Sequence, residues 1–262
     1  SRIPETIGDV TPENLMDKLA HLPSKLKTFV HLACESGGVD PAKRHDEFGI
    51  YTKDGASKGI NQSDWNQQTL QWGKTVGEIL TANGHGTGLA DGIIGVTHPG
   101  YGWSKDDLEA RGRIVETFRE LGTQIALENI PPAVDAWIWE HFRNMKVNWP
   151  FRYYWGFGGT PNDMESLLGM IGPDTLCLID FTHLIAMSNQ ARYPITASRV
   201  PNHLANLDQA VSDYMKLPHA QICHYSGYQG DYPHDSHDFV HVPPPAPIRE
   251  ALNTMKATCL EL

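Results

Sequence analysis

Cysteine is scarce in this chain, and long apolar runs are missing. The 262 residues include only four cysteines, which lie far apart, and three of them fall inside apolar strand-like runs. A cysteine in such a run behaves as a small buried hydrophobe, so we expect no disulfides and a reducing, cytoplasmic compartment. No run of about 18 apolar residues could span a bilayer, and the first residues lack the pattern of a signal peptide. These absences predict a soluble protein without a membrane partner.

Positive charge is also in short supply. The chain has 21 lysines and arginines against 31 aspartates and glutamates, which gives a formal net charge of −10 at pH 7. Proteins that coat nucleic acid usually carry a basic patch, so this balance argues against simple coating. Bound divalent cations would invert the local field over an acidic pocket, and a metal-dependent nucleic-acid enzyme therefore stays open.

Two common catalytic signatures are absent as well. The glycine-rich run at residues 84–88 lacks the Lys-Ser/Thr ending of a phosphate-binding loop, and no Gly-x-Ser-x-Gly elbow occurs. What the chain does have is histidine, with thirteen copies. Histidine is the commonest side chain that binds transition metals, so the positions of these histidines become the main question.

Short apolar runs alternate with helix-like stretches, which is typical of βα units and a parallel sheet. The predicted strands are residues 28–33, 93–98, 124–129, 175–180, 220–224 and 257–261, and the aromatic run 152–157 is either a strand or a pocket wall. The predicted helices are residues 11–22, 63–80, 104–121, 162–171, 202–215 and 248–255. We therefore predict an α/β fold, a TIM (β/α)8-type barrel in a single domain over residues 1–262. A closed barrel of this type needs eight strands, so we expect either an incomplete barrel or a chain truncated at its ends.

Metal-binding side chains end five of the predicted strands, and the last strand contains a sixth. These residues are His31, His98, Glu128, Asp180, His224 and Glu261. The carboxyl ends of parallel strands meet at one face of a barrel, where such enzymes place their chemistry. Packing alone would favour Val, Ile and Leu at these positions, so the pattern predicts a metal centre.

Two shorter motifs add candidate ligands. Asp180 and His183 are three residues apart at what we interpret as a strand-to-loop turn, and they could serve one ion or two adjacent ions. Asp235 and His237 alternate in an extended segment, so both side chains can point the same way.

Taken together, these segments resemble endonuclease IV and the wider xylose-isomerase-like TIM-barrel superfamily over roughly residues 28–262. The segments that carry the resemblance are His98-Pro99-Gly100, Leu127-Glu128-Asn129, Ile179-Asp180-Phe181-Thr182-His183, Cys223-His224, Asp235-Ser236-His237 and Leu260-Glu261. The order and spacing of the whole set are more specific than any single motif.

The resemblance implies three metal ions, usually zinc. It assigns the first ion to His31, His98 and Glu128, and Glu128 bridges to a second ion held also by Asp180, His224 and Glu261. It assigns the third ion to His183, Asp235 and His237. In that family the cluster cleaves a phosphodiester 5′ to an abasic site, so the implied partner is DNA with an abasic site or another phosphodiester. Cys34 stands where endonuclease IV has a Tyr that helps handle the flipped nucleotide.

A second reaction fits the same superfamily. Its sugar isomerases and epimerases bind one divalent cation through two Glu, one Asp and one His, for which Glu128, Asp180, His224 and Glu261 are available. The two glutamates, Glu128 and Glu261, are then the catalytic pair that moves protons beside the carbonyl of a small sugar or sugar phosphate. Mixed His and carboxylate ligation suits zinc, while Mn, Fe, Mg and Co stay open. A metal-stabilised barrel without catalysis is the third alternative.

Overall fold

The structure is a computed structural model, and it describes a little under half of the chain. The described residues are 16–17, 28–31, 75, 77–84, 93–99, 101–102, 108, 111–112, 115–116, 119, 125–131, 133–134, 153–173, 175–191, 202–218, 220–226 and 243–260.

A parallel sheet of six strands forms the centre of the described fold. In spatial order its strands are β1 (Thr28–His31), β2 (Ile93–Thr97), β4 (Ile125–Glu128), β7 (Leu176–Asp180), β8 (Ala220–Tyr225) and β9 (Ala257–Leu260). Every neighbouring pair in this sheet is parallel. The predicted α/β fold with a parallel sheet is therefore confirmed. Closure into an eight-stranded barrel stays a prediction, because the described pairings link these six strands in one open series.

A small antiparallel sheet accompanies the parallel one. Its strands are β3 (Tyr101–Gly102), β6 (Tyr153–Gly156) and β5 (Ala133–Val134), with β6 in the middle. The aromatic run 152–157 therefore contains a strand, but this strand does not belong to the parallel sheet. It pairs with two short segments that follow β2 and β4, at the carboxyl edge of the parallel sheet.

Four helices are described in full, and three of them begin at a residue whose side chain caps the helix. They are α1 (Pro161–Ile171), α2 (Phe181–Gln190), α3 (Leu207–Met215) and α4 (Ala246–Leu252), and a 3₁₀ turn, Asn202–Ala205, precedes α3. Thr160 caps α1 by accepting from the Asp163 amide, and Asn206 caps α3 by accepting from the Gln209 amide. Such oxygen-bearing caps satisfy amides that the first helical turn leaves without partners. No helix in these described ranges is long and apolar enough to cross a bilayer.

One sequence interpretation is wrong. Residues 181–183 were expected to form a loop after the strand that ends at Asp180, but α2 begins at Phe181. The physical reason is that Asp180 is the N-cap of α2 as well as the last residue of β7. Strand and helix therefore join without a loop, and His183 lies in the first helical turn.

The two faces of the parallel sheet carry different side chains. The outer face, with Leu127, Cys177, Ile179 and Cys223, packs with the helices in the main hydrophobic core. The inner face has a separate apolar cluster of Val96, Ala126, Leu176, Leu178 and Ile222. Side chains alternate between the faces of a strand, so this division fixes which polar residues face inward. Cys177 and Cys223 are buried thiols rather than disulfide partners, as the sequence predicts.

Gly156, the last residue of β6, has no room for a side chain. A Cβ there would lie 2.6 Å from the carbonyl oxygen of Ile130 and 2.9 Å from Ile130 Cγ2. We expect Gly156→Ala to lower the free energy of unfolding by about 1–3 kcal/mol, because backbone must move to relieve the overlap. Gly169→Ala is the matched control, since nothing lies within 4 Å of its Cβ in α1, and it should raise stability by about 0.5–1 kcal/mol. Urea unfolding of both variants measures this difference, and equal effects would contradict it.

Candidate metal centre

Four candidate ligands lie on the inner face of the sheet, directly beyond its apolar cluster. His98, Glu128, Asp180 and His224 each lie two residues after a member of the inner apolar cluster: Val96, Ala126, Leu178 and Ile222, respectively. A spacing of two residues returns a strand to the same face. The four side chains therefore gather above the apolar cluster, at the carboxyl edge of adjacent strands.

Glu128 is the centre of this group. Its Oε2 lies 3.3 Å from Nε2 of His98, and its Oε1 lies 3.3 Å from Nδ1 of His224. The same Oε1 lies 3.9 Å from Nδ1 of His183. Glu128 is only 2% exposed, and a buried carboxylate is costly unless it is paired or coordinated. Both oxygens of Glu128 accordingly face imidazole nitrogens.

The two carboxylate oxygens of Asp180 make different contacts. Oδ1 accepts hydrogen bonds from the backbone amides of Thr182, at 2.6 Å, and His183, at 3.0 Å. These bonds cap α2, and a negative charge is also favourable at a helix N-terminus. Oδ2 lies 3.8 Å from Nε2 of His183. One oxygen therefore holds the helix while the other faces the polar cluster.

His183 reaches the cluster from α2 rather than from a strand. Its Nδ1 lies 2.6 Å from the carbonyl oxygen of Asn129, and its ring centroid is 5.5 Å from that of His98. The structure thus places His183 beside His98 and Glu128. The assignment of His183 to a separate third ion with Asp235 and His237 stays a prediction, since those two residues lie outside the described ranges.

The five side chains form two overlapping groups that could hold a divalent metal. One group is His98, Glu128 and His183, the other is Glu128, Asp180 and His224, and within each group the ligand atoms lie within 4.8 Å of one another. Two ligands about 2.1 Å from one tetrahedral ion are about 3.4 Å apart. The separations of 3.3 Å between the Glu128 oxygens and the nearest nitrogens of His98 and His224 are close to that value. They exceed the roughly 2.7–2.9 Å of a charge-assisted hydrogen bond. The donor set and its spacing therefore fit a divalent cation.

The remaining predicted ligands cannot be placed with equal detail. His31 is the last residue of β1, in register with Val96 of β2, but only its backbone is described. Asp235, His237 and Glu261 lie outside the described residues, although β9 ends at Leu260, directly before Glu261. Their roles as ligands, and the catalytic role of Glu261, stay predictions.

Three polar residues at this edge were not singled out from the sequence. Asn129 follows Glu128 directly and contacts both Asp180 and His183. Thr182 and Ser226 join the first turn of α2 to the end of β8, with their hydroxyl oxygens 2.9 Å apart and the Thr182 hydroxyl also 3.0 Å from the Ser226 carbonyl oxygen. All three are fully buried. The available sequence signal was their position, next to or two residues beyond a predicted ligand.

A glycine turn after β6 packs beside the cluster. Gly158 has a φ of +72°, and a Cβ there would meet Met164 Cε at 2.8 Å and Pro99 Cγ at 3.5 Å. Pro99 follows His98, so the turn lies against the segment that carries this ligand. A side chain at Gly158 would be strained by both the backbone conformation and the contact.

Polar groups of the helices hold this turn. The Gly158 amide donates to Asp163 Oδ2 at 2.6 Å, and its carbonyl accepts from the Tyr214 hydroxyl at 2.8 Å. Burial raises the pKa of Tyr214 well above its usual value, so the phenol stays protonated and can donate. Arg111 pairs with Asp163 and lies over the Phe157 ring, 5.2 Å from its centroid.

Cys177 is excluded from the polar cluster by its direction. It lies on the outer face within the main core, and burial, with a smaller contribution from the charge of Glu128, raises its pKa to about 12. Metal ligation and nucleophilic attack both need a thiolate. The thiol therefore serves packing, while the carboxylate and imidazole groups carry the candidate chemistry.

Comparison with known proteins gives a structural likeness but no match in sequence. The sequence matches no protein-family model and no curated protein. Among solved structures, the chain is similar to a D-tagatose 3-epimerase-like protein, with a TM-score of 0.47 and 16% sequence identity over 77% of this chain. The chain spans 65% of the length of that structure. We therefore base the function on the geometry of the cluster.

Proposed function

We propose that this protein is a divalent-metal-dependent sugar isomerase or epimerase of the xylose-isomerase-like type. The observation that carries the proposal is the convergence of Glu128, Asp180 and His224, whose ligand atoms lie within 4.8 Å of one another. These residues end or nearly end three consecutive strands of the sheet. With Glu261, they make up the two Glu, one Asp and one His that such enzymes use for a single cation.

The proposed reaction moves a proton beside a carbonyl group. A divalent cation bound by this set would polarise the carbonyl and hydroxyl oxygens of the substrate. One carboxylate takes the proton from the carbon next to the carbonyl, and the electron pair of that C–H bond moves toward the carbonyl oxygen. The other carboxylic acid returns a proton to the same carbon from the opposite side, which gives the epimer. In an isomerisation the hydroxyl proton of that carbon first moves to the former carbonyl oxygen, and the acid then protonates the neighbouring carbon. We assign these two roles to Glu128 and Glu261.

The distribution of described positive charge supports a small substrate. Lys256 bonds Gln221 near the start of β8, and Lys216 pairs with Asp213 at the end of α3, just before β8 begins. Arg119 donates to the carbonyl of Met170, close to the end of α1. These three cations lie at the end of the sheet opposite to Glu128. Contact with duplex phosphates needs accessible lysine or arginine near the catalytic face, and Arg111, the described cation beside the Gly158 turn, is buried and paired with Asp163.

Metal content and proton exchange test the proposal together. Protein purified without chelator or nickel resin is expected to hold one equivalent of a divalent metal by elemental analysis. In deuterium oxide it should then introduce deuterium next to the carbonyl of one or more ketoses from a panel of free and phosphorylated sugars, as measured by proton NMR. Chelator-treated protein is the control, and activity should return with Mn²⁺, Co²⁺ or Zn²⁺. Loaded protein that exchanges no proton in any sugar of the panel would contradict the assigned reaction.

A phosphodiester hydrolase of the endonuclease IV type is the second candidate. The observation in its favour is the other ligand group, His98, Glu128 and His183, because a mononuclear isomerase gives these two histidines no cation. Two to three equivalents of zinc and cleavage of DNA at an abasic site would favour this reaction. Intact abasic DNA together with one bound metal would favour the isomerase.

A further inference from the structure

Asn129 lies at the point where the pairing between β4 and β7 stops. The ladder between these strands ends with Glu128 opposite Leu178, and the Asn129 amide makes one more bond, to the Leu178 carbonyl at 3.3 Å. Beyond that bond the ladder with β4 ends, while Asp180 still pairs with His224 of β8. Asn129 and Asp180 are both 0% exposed, so the backbone of Asp180 on the β4 side meets protein atoms rather than water.

The side chain of Asn129 binds the backbone of Asp180 in the way that a paired residue of a strand would. The Asp180 amide donates to Asn129 Oδ1 at 2.6 Å, and Asn129 Nδ2 donates to the Asp180 carbonyl at 3.2 Å. A carboxamide offers a carbonyl acceptor and N–H donors, the same kinds of group that a peptide backbone offers. Both backbone groups of Asp180 are thereby bound by one residue that directly follows Glu128. The position of the Asp180 carboxylate relative to the Glu128 carboxylate depends on these two bonds.

The backbone of Asn129 constrains a different ligand. Its carbonyl oxygen lies 2.6 Å from Nδ1 of His183, and a carbonyl can only accept a hydrogen bond. The Nδ1 atom must therefore carry the hydrogen, which leaves the lone pair of the neutral ring on Nε2. This atom is the one that lies 3.8 Å from Asp180 Oδ2. Histidines that bind metals commonly donate their other N–H to a carbonyl in this way.

We infer that Asn129 is a positioning residue, which orients Asp180 through its side chain and His183 through its carbonyl for binding of a divalent cation. The inference rests on the proposed cation site and extends it to a residue that touches neither cation nor substrate. Two ligands from β7 and α2 are thus set by the residue that directly follows β4. Loss of the Asn129 side chain should affect Asp180 more than His183. The two bonds to Asp180 come from the side chain, whereas the contact with His183 comes from the backbone carbonyl.

Cobalt binding measures the effect on the site itself. We expect Asn129→Ala to weaken Co²⁺ binding by about 10–100-fold, the range for loss of a group that orients a metal ligand. The matched control is Ser188→Ala, which removes a partly buried bond from a buried side chain to a backbone carbonyl, 3.1 Å from Ser188 Oγ to Ala205 O. That bond lies at the far end of α2, so Co²⁺ affinity should stay within about twofold of wild type.

Amide hydrogen exchange on the metal-free protein gives a readout that does not depend on the proposed function. The Asp180 amide should exchange at least about tenfold faster in Asn129→Ala, because its acceptor is gone. The Ser226 amide, which donates to Thr182 Oγ1 at 3.2 Å, is the internal reference and should change little. If the alanine variant does not fold, Asn129→Ser is measured in the same way, since serine is too short to reach both groups of Asp180.

The outcomes separate the two proposals. Wild-type Co²⁺ affinity or unchanged Asp180 exchange in a folded Asn129 variant would overturn the role of Asn129 while the proposed function stands. Failure of the wild-type protein to bind any divalent cation would overturn both the proposed function and the positioning for a cation. Weakened binding together with faster Asp180 exchange, and neither in Ser188→Ala, would establish the role.

Discussion

Glu128→Gln is expected to abolish the reaction while leaving the fold intact. Glutamine has nearly the same shape, but it can neither take a proton from carbon nor supply a negative charge to a cation. Loss of a group that transfers protons typically costs about 10²–10⁴-fold in rate, and we expect kcat to fall within or beyond this range. Deuterium exchange into the sugar and titration with Co²⁺ measure the two effects separately.

The contacts of Glu128 also predict how its substitution changes the metal content. Because Glu128 belongs to both ligand groups, two bound cations should weaken together if the protein holds two. Loss of only one would count against a bridging role. The matched control is Glu165→Gln, the same chemical change at an exposed site on α1, which should leave rate and metal content unchanged. A Glu128→Gln enzyme that keeps its rate within fivefold would remove Glu128 from the proton transfer.

Substitutions of Asp180 give the second large expected effect. Its side chain caps α2 and is a proposed cation ligand, and two different substitutions separate these functions. Asp180→Asn should keep the cap of α2, since asparagine is among the best N-cap residues, but it removes the negative charge. Asp180→Ala removes both. We expect both variants to weaken cation binding by at least about 100-fold, as loss of a direct ligand should exceed the effect of its orienting groups. Only the alanine variant should also lose about 0.5–2 kcal/mol of stability through the cap.

Urea unfolding in the presence of chelator and Co²⁺ titration distinguish these functions. Asn206→Ala is the control for the cap alone, because Asn206 caps α3 through the Gln209 amide at 3.3 Å. It should lower stability without changing the affinity for Co²⁺. If Asp180→Asn bound Co²⁺ as tightly as wild type, Oδ2 would not be a ligand and the proposed site would lose one of its three described members.

Local sequence patterns were sufficient to predict the strand ends. The runs that end near His98, Glu128, Asp180 and His224 form the predicted parallel strands, because continuous apolar runs of this length are typical of buried parallel strands. The period of two along each strand then explains why these four residues share the inner face. The contacts of Glu128 with His98, His183 and His224 could not be predicted. They depend on how far neighbouring strands are shifted along each other, which local sequence does not show.

Local sequence patterns could not predict the features in which one residue joins two elements of the fold. The start of α2 was read as a loop because a helix signal normally follows a separate capping residue, whereas Asp180 also completes β7. The bonds of Asn129 depend on where the ladder between β4 and β7 stops, which is a long-range property. The aromatic strand β6 was ambiguous because its partners β3 and β5 have only two residues each.

The alternation within β7 limits how this protein can change during evolution. Cys177 and Ile179 face the helices while Leu178 and Asp180 face the inner cluster. Inserting one residue before Asp180 would exchange these directions, which would bury a carboxylate in the apolar core and remove it from the histidines. Point substitutions at Leu176–Asp180 keep these directions, whereas a one-residue change in length directly before Asp180 reverses its direction. Descendants of this chain should therefore vary in length between their strands and keep the number of residues within them constant.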